Sequence, residues 1–196
     1  ALVALDPQTG EILALVSAPS FDPNLFAVGM TSSQYRELQD NPDRPLFNRA
    51  VRGTYPPGST IKPMLALAGL ETGATNLTRK SICRGYFQLP GNEHRYRDWK
   101  PEGHGPVDIH EAISQSCDVY FYLLGQRLGI EGMAEWFRLF GFGEPTGIDL
   151  GGEVAGQLPS TEWKKRVLGV PWYPGETIIA GIGQGFNVVT PLQLSN

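Results

Sequence analysis

The chain has 196 residues with 16 basic and 20 acidic side chains, a net charge of −4. That balance, with no basic run and no aromatics interleaved among basic residues, excludes a nucleic-acid-binding surface of the usual kind. The length suffices for one domain with a core, no apolar stretch approaches the roughly 18 residues of a membrane helix, and 24 Gly with 16 Pro predict long loops.

Residues 1–6 and 11–17 are apolar runs joined by Pro7-Gln8-Thr9-Gly10, which predicts a hairpin with Gly10 at the end of its turn. Residues 18–58 are rich in Pro, Asn, Asp and Gly, with one short helix predicted near 31–40; so long a loop region in a compact domain is usually functional. Ser59 to Gly73 reads as a helix closed by Gly73, and Pro63 must fall in its first turn, where a missing N–H costs least. Residues 75–106 read as irregular. Asp108 and Glu111 form a capping-box pair ahead of a short helix, with His110 on its exposed face. Two apolar helices follow, ending in Gly129 and Gly141. Residues 142–189 return to Gly/Pro-rich loops, including Gly181-Ile182-Gly183-Gln184-Gly185, and Thr190-Pro191 opens a last helix. A strand pair followed by a mostly helical stretch is α+β. Both ends run through elements, so the expectation is an internal piece of a larger protein, and the absence of a signal peptide proves nothing.

The chemistry begins at Tyr55-Pro56-Pro57-Gly58-Ser59-Thr60-Ile61-Lys62-Pro63. Ser59 alone among the serines has a lysine three residues on, one helical turn away on the same face. An uncharged Lys62 beside the hydroxyl could take its proton and make Ser59 a nucleophile; a charged Lys62 would be an ordinary surface residue. The Pro-Pro-Gly approach fixes the turn, and the helix N-terminus offers amides to an oxyanion. Ser116-Cys117-Asp118 is the second candidate. Ser116 or Asp118 suits the N-cap of the next helix; equally, Ser116 could relay a proton near Lys62, with Asp118 accepting a hydrogen bond from that lysine.

The Ser59 stretch, Ser116-Cys117-Asp118, the segment from Trp172 to Gly185 and Thr190-Pro191-Leu192-Gln193-Leu194 together resemble the transpeptidase domain of class B penicillin-binding proteins. The opening strand pair resembles that domain's start, and residues 89–105 look more narrowly like the penicillin-binding protein 2 branch, which serves cell-wall elongation and rod shape. The resemblance implies the penicillin-binding and serine β-lactamase-like fold, here without the rest of its sheet. It implies a D-Ala-D-Ala transpeptidase or carboxypeptidase in which Ser59 forms the acyl-enzyme, Lys62 is general base and Ser116 relays the proton. β-Lactams would acylate Ser59. Implied too are a site on the periplasmic face of the inner membrane, a single-pass anchor outside residues 1–196, and a RodA-type membrane glycosyltransferase with other elongation proteins as partners. Two features depart from the family pattern. Its middle motif is usually Ser-x-Asn, whereas Asp118 here adds a negative charge that favours the charged form of Lys62. Its Lys-Ser/Thr-Gly motif is absent, since no lysine here precedes Ser/Thr-Gly; it is expected downstream, so the site is incomplete in this fragment.

Cys83 and Cys117 are the only cysteines, and Asp98 and His104 lie between them. Disulfide, free thiols and zinc are all open from the residues, because the spacing matches no finger motif. The resemblance favours a structural zinc on Cys83, Asp98, His104 and Cys117. His94 and His110 read as ordinary polar residues, and Trp99, Trp136, Trp163 and Trp172 as core or groove packing. Rival readings are a serine β-lactamase, which would need a water-activating residue not evident in 142–175, a β-lactam sensor, and a non-catalytic scaffold, against which Ser59, Lys62 and Ser116 speak.

Overall fold

A computed structural model describes residues 1–196. In chain order the elements are β1 (Leu2–Leu5), β2 (Ile12–Val16), α1 (Asn24–Ala27), α2 (Ser32–Asp40), α3 (Arg49–Arg52), a 3-10 turn (Gly58–Ile61), α4 (Lys62–Glu71), β3 (Ser81–Cys83), β4 (Tyr86–Gln88), β5 (Arg95–Arg97), β6 (Gly105–Val107), α5 (Ile109–Ser114), α6 (Asp118–Leu139), α7 (Thr161–Leu168), α8 (Pro174–Ala180) and α9 (Pro191–Ser195). They fall into two compact units. No helix is long and apolar enough to cross a membrane.

The first unit comprises residues 1–55, 144–156 and 189–196. β1 and β2 pair antiparallel with Leu2 opposite Val16 and Val3 opposite Leu15, the expected hairpin. Its core is Ala50, Val51 and Leu192, packed by Val3, Leu5, Leu15 and Ile148. Thr31 caps α2 in a reciprocal capping box with Gln34, and Thr190 does the same for α9 with Gln193. The predicted loop from 18 to 58 holds α1 and α3 as well as α2.

The second unit comprises residues 56–143 and 157–188 and carries all the candidate site residues. α4 and α6 pack closely because Gly69 has no side chain: a Cβ there would stand 2.8 Å from Leu124 Cδ1. Thr75 Oγ1 and the Tyr120 hydroxyl, both buried, share a 2.7 Å hydrogen bond across the same interface. The two predicted helices after residue 117 are the two halves of α6, separated by a break at Gly129, whose φ of 70° and ψ of 167° are not helical. Two predictions are corrected. Residues 75–106 are not irregular throughout, because β3 pairs with β6 and β4 with β5. Residues 142–189 are not all loop, since they contain α7 and α8. Ser160 caps α7 through the Trp163 amide, and Gly169 ends it in the left-handed conformation. Lys164, only 3% exposed, pairs with Glu176 of α8 and lies over the rings of Tyr173, Trp172 and Phe186, which joins the two helices.

Candidate active site and metal centre

Ser59 lies on the exposed side of the 3-10 turn, and Lys62 is the first residue of α4. A 3-10 turn has three residues per revolution, so the two side chains leave the same face. The side chains nevertheless do not bond to each other. Lys62 Nζ, 2% exposed, donates to Ser116 O at 2.9 Å, to Ser116 Oγ at 3.0 Å and to Asp118 Oδ1 at 2.6 Å. Three acceptors match the three N–H bonds of an ammonium. Ser116 Oγ in turn donates to Ser59 Oγ at 3.1 Å. The expected direct contact between Lys62 and Ser59 is therefore corrected: the link runs through Ser116. The reason is steric placement, since Lys62 is buried between α4 and the start of α6 while Ser59 faces solvent.

The structure also corrects the capping of α6. Neither Ser116 nor Asp118 is its N-cap. Cys117 holds that position without a side-chain cap bond, Asp118 is the first helical residue, and Ser116 stands outside with φ 52°. The donor a cap would satisfy, the Val119 amide, goes instead to Asp98 Oδ2 at 3.1 Å. An aspartate 21 residues upstream thus serves as the cap. No local pattern signals this, because the partner arrives through the folding of the β5–β6 connection.

The same Asp98 sits in a cluster with Cys83, His104 and Cys117. Its Oδ2 is 3.4 Å from Cys83 Sγ and 3.5 Å from Cys117 Sγ, its Oδ1 is 3.5 Å from His104 Nδ1, and that nitrogen is 3.5 Å from Cys83 Sγ. All four donor atoms lie within 4.8 Å of one another, and both thiols are free and buried. A tetrahedral ion with bonds of about 2.0–2.3 Å spaces its ligands about 3.3–3.8 Å apart, so the donor set fits zinc in type and spacing. Electrostatics favour a cation there. Burial works against ionising Asp98, but the amides of Lys100 and Val119 and the two thiols outweigh it and hold the carboxyl below its ordinary value. Burial, then the Asp98 charge and Cys83, push the Cys117 thiol well up. Trp99, expected as packing, is 63% exposed; it covers His104 edge-on at 5.4 Å and donates to Gln115 O at 3.1 Å. His94 and His110 are exposed and outside the cluster, as expected.

The penicillin-binding protein transpeptidase domain family matches residues 1–196. "Peptidoglycan D,D-transpeptidase MrdA" of Acinetobacter baumannii is 55% identical over 195 residues, covering 100% of this chain and 29% of that protein. The chain thus spans under a third of the length of that relative. The crystal structure of Pseudomonas aeruginosa PBP2 in complex with WCK 5153 superposes with a TM-score of 0.93 at 50% identity, over 98% of this chain and 42% of that one. Helicobacter pylori PBP2, in a complex with MreC, superposes with a TM-score of 0.92 at 36% identity, over 98% and 36%.

Proposed function

The chain belongs to the penicillin-binding protein transpeptidase family, and from that premise we propose that it is the nucleophile-bearing part of a peptidoglycan D,D-transpeptidase of cell-wall elongation. The observation that carries this reading is the hydrogen-bonded series Ser59–Ser116–Lys62, with Asp118 behind Lys62. With Lys62 as ammonium the series points its protons toward Ser59. Once Lys62 has released one proton to solvent and stands as the neutral amine, rotating the two hydroxyls reverses the series, so that Ser59 donates to Ser116 and Ser116 to Lys62. Ser59 Oγ then bonds to the penultimate D-alanine carbonyl carbon of a stem peptide. Its proton passes through Ser116 to Lys62, the C–N bond breaks, and the terminal D-alanine leaves with a proton returned along the same route. An amine of a second stem peptide attacks the ester carbonyl carbon, the C–O bond to Ser59 breaks, and the proton the amine gives up passes to Ser59 Oγ, which frees Ser59 and forms the cross-link. In a β-lactam the leaving nitrogen stays tethered, which leaves Ser59 blocked.

Cys83, Asp98, His104 and Cys117 would hold one zinc ion, which supplies a structural cross-link when bound. The cap that Asp98 places on α6 couples this cluster to Ser116 and Asp118. Kinship with the MreC-bound relative supports an elongation-complex setting, with a RodA-type glycosyltransferase as partner and an anchor that places the site on the periplasmic face of the inner membrane. Labelling of the full-length protein with penicillin tests the reading. One adduct on Ser59, lost in Ser59→Ala, is expected; an adduct on Ser116, or rapid turnover of the β-lactam, would refute it.

A further inference from the structure

Gly181-Ile182-Gly183-Gln184-Gly185 follows α8 and has been given no role in the chemistry, yet it lies against both elements that carry it. At Gly181 a Cβ would stand 2.8 Å from the Phe121 carbonyl oxygen and 3.5 Å from Gly125 Cα, so this residue rests directly on α6. Gly183 rests on the Ser59 turn. Its carbonyl oxygen accepts the Gly58 N–H at 2.9 Å, and a Cβ on it would fall 2.2 Å from the Gly58 oxygen and 2.7 Å from the Gly58 nitrogen. Those are backbone atoms that cannot swing aside. Gly183 is also buried with φ +72°, a conformation that suits glycine. The loop itself is held to α8 by the amides of Ile182 and Gln184 on Ile179 O and of Gly183 on Ala180 O.

We propose that Gly183 is a positioning residue for Ser59: its bare backbone clamps Gly58, and so sets where the Ser59 hydroxyl stands relative to Ser116. The proposal rests on Ser59 being the nucleophile. A displacement of about 1 Å at a reacting atom costs on the order of 10²-fold in rate, and the space available to a Gly183 methyl group falls short by about that distance. Gly185 is the internal control. It has φ +75° in the same loop, but a Cβ there would meet only Ile179 at 3.4 Å, an ordinary contact.

The test is time-resolved acylation of the full-length protein by a fluorescent penicillin across a concentration series, which separates the acylation rate constant from the pre-covalent affinity. Gly183→Ala is expected to lower the rate constant by about 10–10²-fold with the affinity within about twofold. Gly185→Ala, which carries the same backbone strain, should stay within about threefold of the parent. Equal slowing in both variants, or a loss confined to affinity, overturns the proposal. Should Gly183→Ala fail to fold, residue-resolved hydrogen exchange on the unmutated protein decides: the Gly58 amide must exchange at least about 10²-fold slower than an open loop amide, and free exchange overturns the clamp. Labelling of the parent away from Ser59 would instead overturn the assignment of the nucleophile and is read separately.

Discussion

Ser116 is the joint between two side chains that are not hydrogen-bonded to each other, and it is held in a left-handed backbone conformation while doing so. This makes a specific expectation. If protons leave Ser59 only through Ser116, then Ser116→Ala and Lys62→Ala break the same route. Each should slow penicillin acylation by about 10²-fold or more, the usual scale for a lost acid–base partner. The double variant should be little slower than either single one, because groups acting as a unit are not additive. Full multiplication of the two effects would mean that Lys62 reaches Ser59 independently. At this scale the sequence was informative about identity and less so about connection. Ser59 and Lys62 stood out by spacing, but the order in which Lys62, Ser116 and Ser59 bond depends on how deep each backbone atom sits. The cap supplied by Asp98 to Val119 was invisible for the same reason.

α6 is the element on which the second unit is organised, and its two buried tyrosines give a stability signature. Burial raises both phenols above their ordinary range. For Tyr120 the hydrogen bond with Thr75 opposes the rise; for Tyr122 the nearby Asp118 and Asp98 charges reinforce it. The folded chain therefore keeps protons that the unfolded chain loses near pH 10. The stability these groups contribute is fully present below about pH 10 and declines as pH rises from there toward the folded values. Urea midpoints should fall between pH 9 and pH 11, and should fall less steeply in Tyr120→Phe/Tyr122→Phe; parallel slopes would contradict this. Among the elements, the long periodic ones were legible: the hairpin, α4, and both halves of α6 with their closing glycines. α7 and α8 were missed because they are short and lie in a Gly/Pro-rich stretch. The signals were nevertheless present, in the Ser160 cap, Gly169 past the end of α7, and Pro174 at the start of α8. What fixes these two helices is the pair between buried Lys164 and half-buried Glu176 and its aromatic surround, a contact across 12 residues that propensity does not carry.

Across the chain as a whole, the metal reading is the most exposed to test. Full-length protein purified without added metal should contain about one zinc per chain. Chelation should lower its melting temperature and slow acylation, and His104→Ala should do the same without touching Ser59. Well under one zinc per chain, with Cys83 and Cys117 joined to each other, would sink the site. The grouping of Cys83, Asp98, His104 and Cys117 came from the family resemblance, whereas residue order alone determined the α+β class, the hairpin and the main helices and singled out Ser59 with Lys62 as a candidate pair. These are matters of periodicity, capping and spacing, which are local. Only the tertiary structure decided that Lys62 meets Ser116 rather than Ser59, that Asp98 both caps α6 and faces two thiols, and that Gly183 lies against Gly58. Each is a contact between segments far apart in the chain. Such contacts are set by which surfaces bury against each other and by where a missing side chain lets two backbones close, and no local pattern encodes either.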